Sequence, residues 1–196
     1  PAVVKRIGAQ RSIDFLFELF DYDDHVVRLE ALRGLNFLRN NYPHLKFSKR
    51  NIVHEILKEA KLFQDTLSIL YVQTTFEKSN IALEQGNGKS RENDARASLV
   101  DLLEKRLDRK LERIFRLLGL KYTSDDILVI YKGLKNSKPD FRLNALEFLD
   151  NLLEPNLKKI LIPIIETAMV ETITEDAIKN LNVKIPDEYQ CFSLLM

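Results

Sequence analysis

The sequence predicts an all-α fold, and three observations carry that prediction. The chain repeats itself: an offset of 114 residues aligns Arg28–Leu32 (RLEAL) with Arg142–Leu146 (RLNAL), without a gap from Ile13 and Ile127 onwards. In both copies apolar residues recur at i, i+4, i+8 and i+11, as Val27, Ala31, Leu35 and Leu38 and as Phe141, Ala145, Leu149 and Leu152. That spacing lays them along one face of a helix. No segment alternates with period two for long enough to argue a strand. Each copy follows a second apolar segment and a short polar turn, so the repeating unit is a helical hairpin, over about 12–40 and 124–153.

The elements follow in order. Residues 1–8 read as the end of a helix with Gly8 as its cap. Ser12 caps the next, whose outer helix is Ile13–Phe20, and after a turn over 21–25 the inner helix runs over 26–40 until Asn41, Tyr42 and Pro43 stop it. From Ser48 a long helix extends to about residue 83 on Ile52, Ile56, Ala60, Phe63, Leu67 and Leu70. Residues 84–93 (EQGNGKSREN) hold two glycines and no apolar side chain, which predicts a flexible loop. A second long helix over 94–118 places Leu103, Leu107, Leu111, Ile114 and Leu118 on one stripe, with Gly119 just beyond its end. Asp101 with Lys105, and Glu112 with Arg116, are i,i+4 pairs on its exposed side. The second hairpin has Ser124 as cap, an outer helix over 125–134, a turn over 136–140 and an inner helix over 141–153. Pro155 opens a further helix, which Pro163 should kink or end, and Thr174 caps a short one to Leu181. A last helix begins at Asp187. The domain reading is one helical-repeat domain over 1–196, two hairpins interrupted by a pair of long helices and truncated at both ends.

A length of 196 residues with 45% hydrophobic content supports a substantial core. The 30 basic and 29 acidic residues leave a formal net charge of +1, which provides no strong field to draw nucleic acid or anionic lipid. Cys191 is single, set near LLM, and reads as a small buried hydrophobe in a reducing compartment. The longest apolar run, Ile160–Ile165, contains Pro163 and falls far short of the roughly 20 residues that span a bilayer. With no initiator methionine and no signal-peptide pattern, the chain reads as a piece of a longer protein. Its apolar ends, Val3, Val4 and Ile7 at one and Tyr189, Phe192, Leu194 and Leu195 at the other, predict a missing partner surface or self-association.

Partial motifs fail on inspection. Gly88, Lys89 and Ser90 spell the end of a phosphate-binding loop, but Leu83 stands where its first glycine belongs and no strand precedes it. His54 and Glu55 open a zinc-protease pattern whose second histidine position holds Lys58. Asp21, Asp23 and Asp24 start a calcium-loop pattern that His25 breaks, so Asp24 reads as a helix cap. The basic series Lys105, Arg106, Arg109, Lys110, Arg113 and Arg116 is interleaved with Asp101, Glu104, Asp108 and Glu112 and reads as a solvated face. No catalytic, cofactor-binding or metal-ligating residue is assigned, and no cofactor is expected.

The segment RIGAQRSIDFLFELFDYDDHVVRLEALRGLNFLR resembles a HEAT repeat, an antiparallel helix pair with a charged turn and an arginine on its inner helix. Together with RLDRKLERIFRLLGLKY and DILVIYKGLKNSKPDFRLNALEFLDNLL, it resembles the C-terminal region of bacterial ADP/ATP-carrier-like nucleotide transporters that carry HEAT repeats, over roughly residues 1–165. The resemblance implies an α-solenoid-like array on the cytoplasmic face of the inner membrane, following a bundle of transmembrane helices and, in some members, accompanied by a cyclic-nucleotide-binding domain. The transporter's substrate-binding residues lie in its membrane portion, so none maps onto this sequence. Residues 43–122 depart from a regular array. The function this implies is non-enzymatic: a module that couples to protein partners or to neighbouring domains, with no nucleic acid expected. The alternative is a freestanding HEAT-like nucleic-acid-binding domain of the kind found in HEAT-like DNA glycosylases, which requires a net basic concave surface.

Overall fold

A computed structural model of the chain describes residues 3–22, 24–83, 90–170, 173–181 and 183–195. Every regular element among the described residues is helical: α1 (Gln10–Glu18), α2 (His25–Asn41), α3 (Lys49–Leu83), α4 (Ser90–Lys121), α5 (Ser124–Leu134), α6 (Pro139–Leu152), α7 (Pro155–Ala168), α8 (Glu175–Asn180) and α9 (Glu188–Leu195), with single 3-10 turns at Val4–Arg6 and Leu19–Asp21. The chain divides into two compact units, Pro1–Glu59 with Glu112–Leu153 and Ala60–Leu111 with Glu154–Met196, and the divisions fall inside α3 and α4.

In the first unit α1 packs on α2 and α5 packs on α6. Four residues or fewer link α5 to α6, a connection that makes neighbouring helices antiparallel. The repeated stripe faces inward at Ala31, Leu35, Leu38, Ala145 and Leu149, all buried. Phe141 is the departure, 53% exposed with the Lys138 ammonium 5.8 Å from its ring centre, because it lies in the first turn of α6. Asp24 caps α2 as expected, its Oδ1 accepting from the N–H groups of Val26 at 2.7 Å and Val27 at 3.3 Å.

Several boundaries are corrected. Ser12 lies inside α1 rather than capping it; its hydroxyl turns back to donate to the Ile7 carbonyl at 2.8 Å. The helix starts at Gln10, whose amide exchanges two hydrogen bonds with the Lys46 backbone, at 2.8 and 3.0 Å. Thr123, not Ser124, holds the cap position of α5, and α6 starts at Pro139, a residue suited to a first turn because it has no N–H to leave unpaired. Gly119 does not end α4, which runs on to Lys121. A Cβ there would stand 3.2 Å from Asn36 Oδ1, a tight contact that glycine avoids. The predicted loop over 84–93 lies outside the described residues from 84 to 89, while 90–93 belong to α4.

In the second unit Ile69, Leu70, Val72, Leu103 and Cys191 form a buried cluster. Cys191, 2% exposed, is packed as the apolar residue it was expected to be. Pro155 opens α7, but Pro163 does not end it; the helix continues to Ala168, and Thr167 Oγ1 donates to the Pro163 carbonyl at 2.8 Å. A proline removes one N–H and crowds the carbonyl four residues back, here that of Lys159, an exposed residue. Thr174 caps α8, and Asp187 and Gln190 cap α9 reciprocally at 2.8 and 3.2 Å. At the two ends Val3, Ile7 and Leu194 are exposed.

Gly133 sets the approach of α5 to α6, since a Cβ there would lie 2.7 Å from Ala145 Cβ. In an exposed helix Gly→Ala stabilises by about 1 kcal/mol. Here Gly133→Ala is expected to destabilise by about 1–3 kcal/mol through overpacking, and Ala145→Gly is expected to rescue it. Urea denaturation of both variants checks this; a stabilised single variant would contradict the close approach.

Candidate functional site

The first unit encloses charge. On α3, Glu59 is 7% exposed; on α4, Arg113 is 6% exposed. They meet fork to fork, Arg113 Nε donating to Glu59 Oε1 at 2.9 Å and its Nη2 to Oε2 at 3.0 Å. Both ions are thereby satisfied by charge-assisted bonds in a place where an unpaired charge would be costly. The helical spacing explains why they point inward. Glu59 follows Ile52 and Ile56 on the buried stripe of α3, and Arg113 sits beside Ile114, Phe115, Leu117, Leu118 and Leu120, all buried, with Glu112 and Arg116 on the partly exposed side of α4. Arg113 therefore leaves the solvated face to which the sequence assigned it. Lys105 stays there, paired with Asp101 at 2.6 Å, and Arg116 binds Glu112 at 2.7 Å.

Next to this pair is a small chamber of about 10 Å³. Phe20, Leu32 and Leu117 form its apolar walls, and Arg28 of α2 and Glu55 and Lys58 of α3 join Glu59 and Arg113 around it. Arg28 Nε is buried and has no hydrogen-bond partner among the described residues. Glu55 is half-buried and also lines an open recess with Asp14, Glu18, Asp21, Arg50 and His54. Burial is the main reason its carboxyl is pushed above the ordinary glutamate range; Lys58 and His54 pull it down, and Asp21 and Glu59 add to the rise.

A second concavity, a cleft of about 260 Å³, lies where α2, α4 and α5 meet. Phe115 and Tyr131, with ring centroids 5.0 Å apart, give it an aromatic wall, Leu128 an exposed aliphatic edge, and Asn36 and Ser124 a polar side. Asn36 is fixed by donating to the carbonyls of Leu32 at 2.9 Å and Arg116 at 3.1 Å. The cleft suits an apolar side chain flanked by hydrogen-bonding groups.

The partial motifs do not assemble. Gly88 and Lys89 lie outside the described residues, and Ser90 opens α4. His54 is exposed, and Lys58 Nζ approaches Asp21 at 3.5 Å. Asp23 lies outside the described residues, and the Asp24 carboxylate is used as a cap. Among the described residues no group of three or more His, Cys, Asp or Glu side chains is placed to hold a metal ion, and no helix is long and apolar enough to cross a membrane. The chain matches no protein-family model, no curated protein and no solved structure.

Sequence reasoning missed Arg28, Glu55, Glu59 and Arg113 as one cluster. The only local hint was the apolar run beside Arg113, IFRLLGL (114–120), which does not name the partner of either ion.

The raised pKa of Glu55 fixes the sign of a pH dependence. The folded state holds this proton more tightly than the unfolded chain, so the stability it contributes is complete below the ordinary value of 4.5 and lost as pH rises through the folded value. Glu55→Gln is expected to raise the melting temperature relative to wild type more at neutral pH than near pH 4.5. A difference that is flat with pH, or larger in acid, would show that burial does not dominate at this carboxyl.

Proposed function

We propose that the chain is a non-enzymatic helical-repeat module that mediates protein–protein or interdomain coupling. The observation that supports this reading most is the apolar surface of the α5–α6 hairpin. Leu128, Val129, Phe141, Leu143 and Phe148 are 44–63% exposed, five large apolar side chains on 25 residues of helix. Scattered exposed apolar residues are ordinary, but this density on one hairpin supports reading it as an interaction surface. Leu128 continues it into the cleft beside Phe115 and Tyr131. A nucleic-acid role has less support, because Arg113 and Arg116 spend their charge on Glu59 and Glu112 rather than on a phosphate track.

The finer reading is a HEAT-like, solenoid-type array attached to a membrane nucleotide carrier of the ADP/ATP type, acting on its cytosolic side. It rests on the sequence resemblance. In that setting α5 and α6 offer their apolar residues to a neighbouring domain or a protein partner.

A photocrosslinking amino acid at Phe148 in the full-length protein, in its native cells, is expected to label one discrete polypeptide or another segment of the same chain, whereas one at exposed Lys49 is not. Diffuse labelling from both positions, or none from Phe148, would overturn the assignment of this face.

A further inference from the structure

The chamber beside the Glu59–Arg113 pair has the attributes of a binding site for a single small molecule. Its volume of about 10 Å³ is close to that of one water-sized probe, the lower limit for an internal water. Its lining is polar on one side and includes Arg28, whose buried Nε–H has no acceptor among the described residues. Leaving such a donor unsatisfied costs about 1–3 kcal/mol, so folded proteins rarely tolerate one.

We propose that this chamber binds one water molecule, which accepts from Arg28 Nε–H and donates to the carboxylates of Glu55 and Glu59. The hydrogen-bond inventory selects water. Each Glu59 oxygen already accepts one bond from Arg113 and has a lone pair left, and Glu55 presents a carboxyl with no other bonded partner among the described residues. The occupant must therefore accept once and donate twice, which water does. A halide ion only accepts, so although Arg28, Lys58 and Arg113 line the chamber it could donate to neither carboxylate. The water joins Arg28 of α2 to α3, and through Glu59 to Arg113 of α4, completing a network that the direct ion pair leaves one helix short. Glu55 lines both the chamber and the open recess.

Two measurements test this. Crystals of the protein grown in chloride and in bromide are expected to show one compact density peak within about 2.7–3.2 Å of Arg28 Nε, with no anomalous signal in bromide. An anomalous peak would make the site a halide site, and an empty chamber or a direct bond from Arg28 Nε to a carboxylate would overturn it. In solution, oxygen-17 relaxation dispersion is expected to count one fewer long-lived internal water in Arg28→Met than in wild type. An unchanged count in the folded variant would refute the assignment of Arg28 as the water's donor.

Discussion

Glu59 and Arg113 meet 54 residues apart in sequence, in a place that solvent barely reaches. Desolvating each ion costs several kcal/mol, and the attraction between them returns this only when the geometry is good. Here it is good: both carboxylate oxygens are engaged by separate nitrogens of one guanidinium, at 2.9 and 3.0 Å. The net gain over a pair of well-packed apolar residues is small. The constraint it imposes is large, because each helical residue turns the side chain by about 100°. Shifting α4 along α3 by one residue would leave two buried charges without partners.

That constraint reaches the rest of the first unit through short-range contacts. Once the end of α4 is placed, the Arg116 carbonyl is in position to accept from Asn36, and α2 lies close enough that a Cβ on Gly119 would stand a tight 3.2 Å from Asn36 Oδ1. Phe115 then meets Tyr131 of α5, and Gly133 allows α5 and α6 to approach. The cleft and the chamber are both by-products of these placements. The exposed residues of α5 and α6 are held on a hairpin whose buried side is fully committed, which makes their apolar surface available to something else.

Much of this was legible in the sequence where the signal is local. Helix existence followed from apolar spacing, and Asp24, Thr174 and Pro155 occupy the terminal positions their chemistry suggested. The misplacements have local causes too. Serine reads as a cap, yet Ser12 bonds backwards from within its helix; glycine reads as a terminator, yet Gly119 serves close approach at an ordinary backbone angle. Proline reads as a breaker, yet α7 continues through Pro163 to Ala168. The ion cluster was not legible because its pairing is long-range: at three and four residues Glu59 has Glu55, Ile56, Leu62 and Phe63, and Arg113 has Arg109, Lys110, Arg116 and Leu117, so no local partner points to either ion.

The claim that these two charges depend on each other is tested most directly by a double-mutant cycle in urea. Arg113→Met leaves the Glu59 carboxylate buried without a partner and is expected to lose about 3–5 kcal/mol. Removing both charges, with Glu59→Met added to Arg113→Met, is expected to recover most of that loss. If the single variant loses less than about 1 kcal/mol, or the two losses simply add, the pair is not the buried constraint described here.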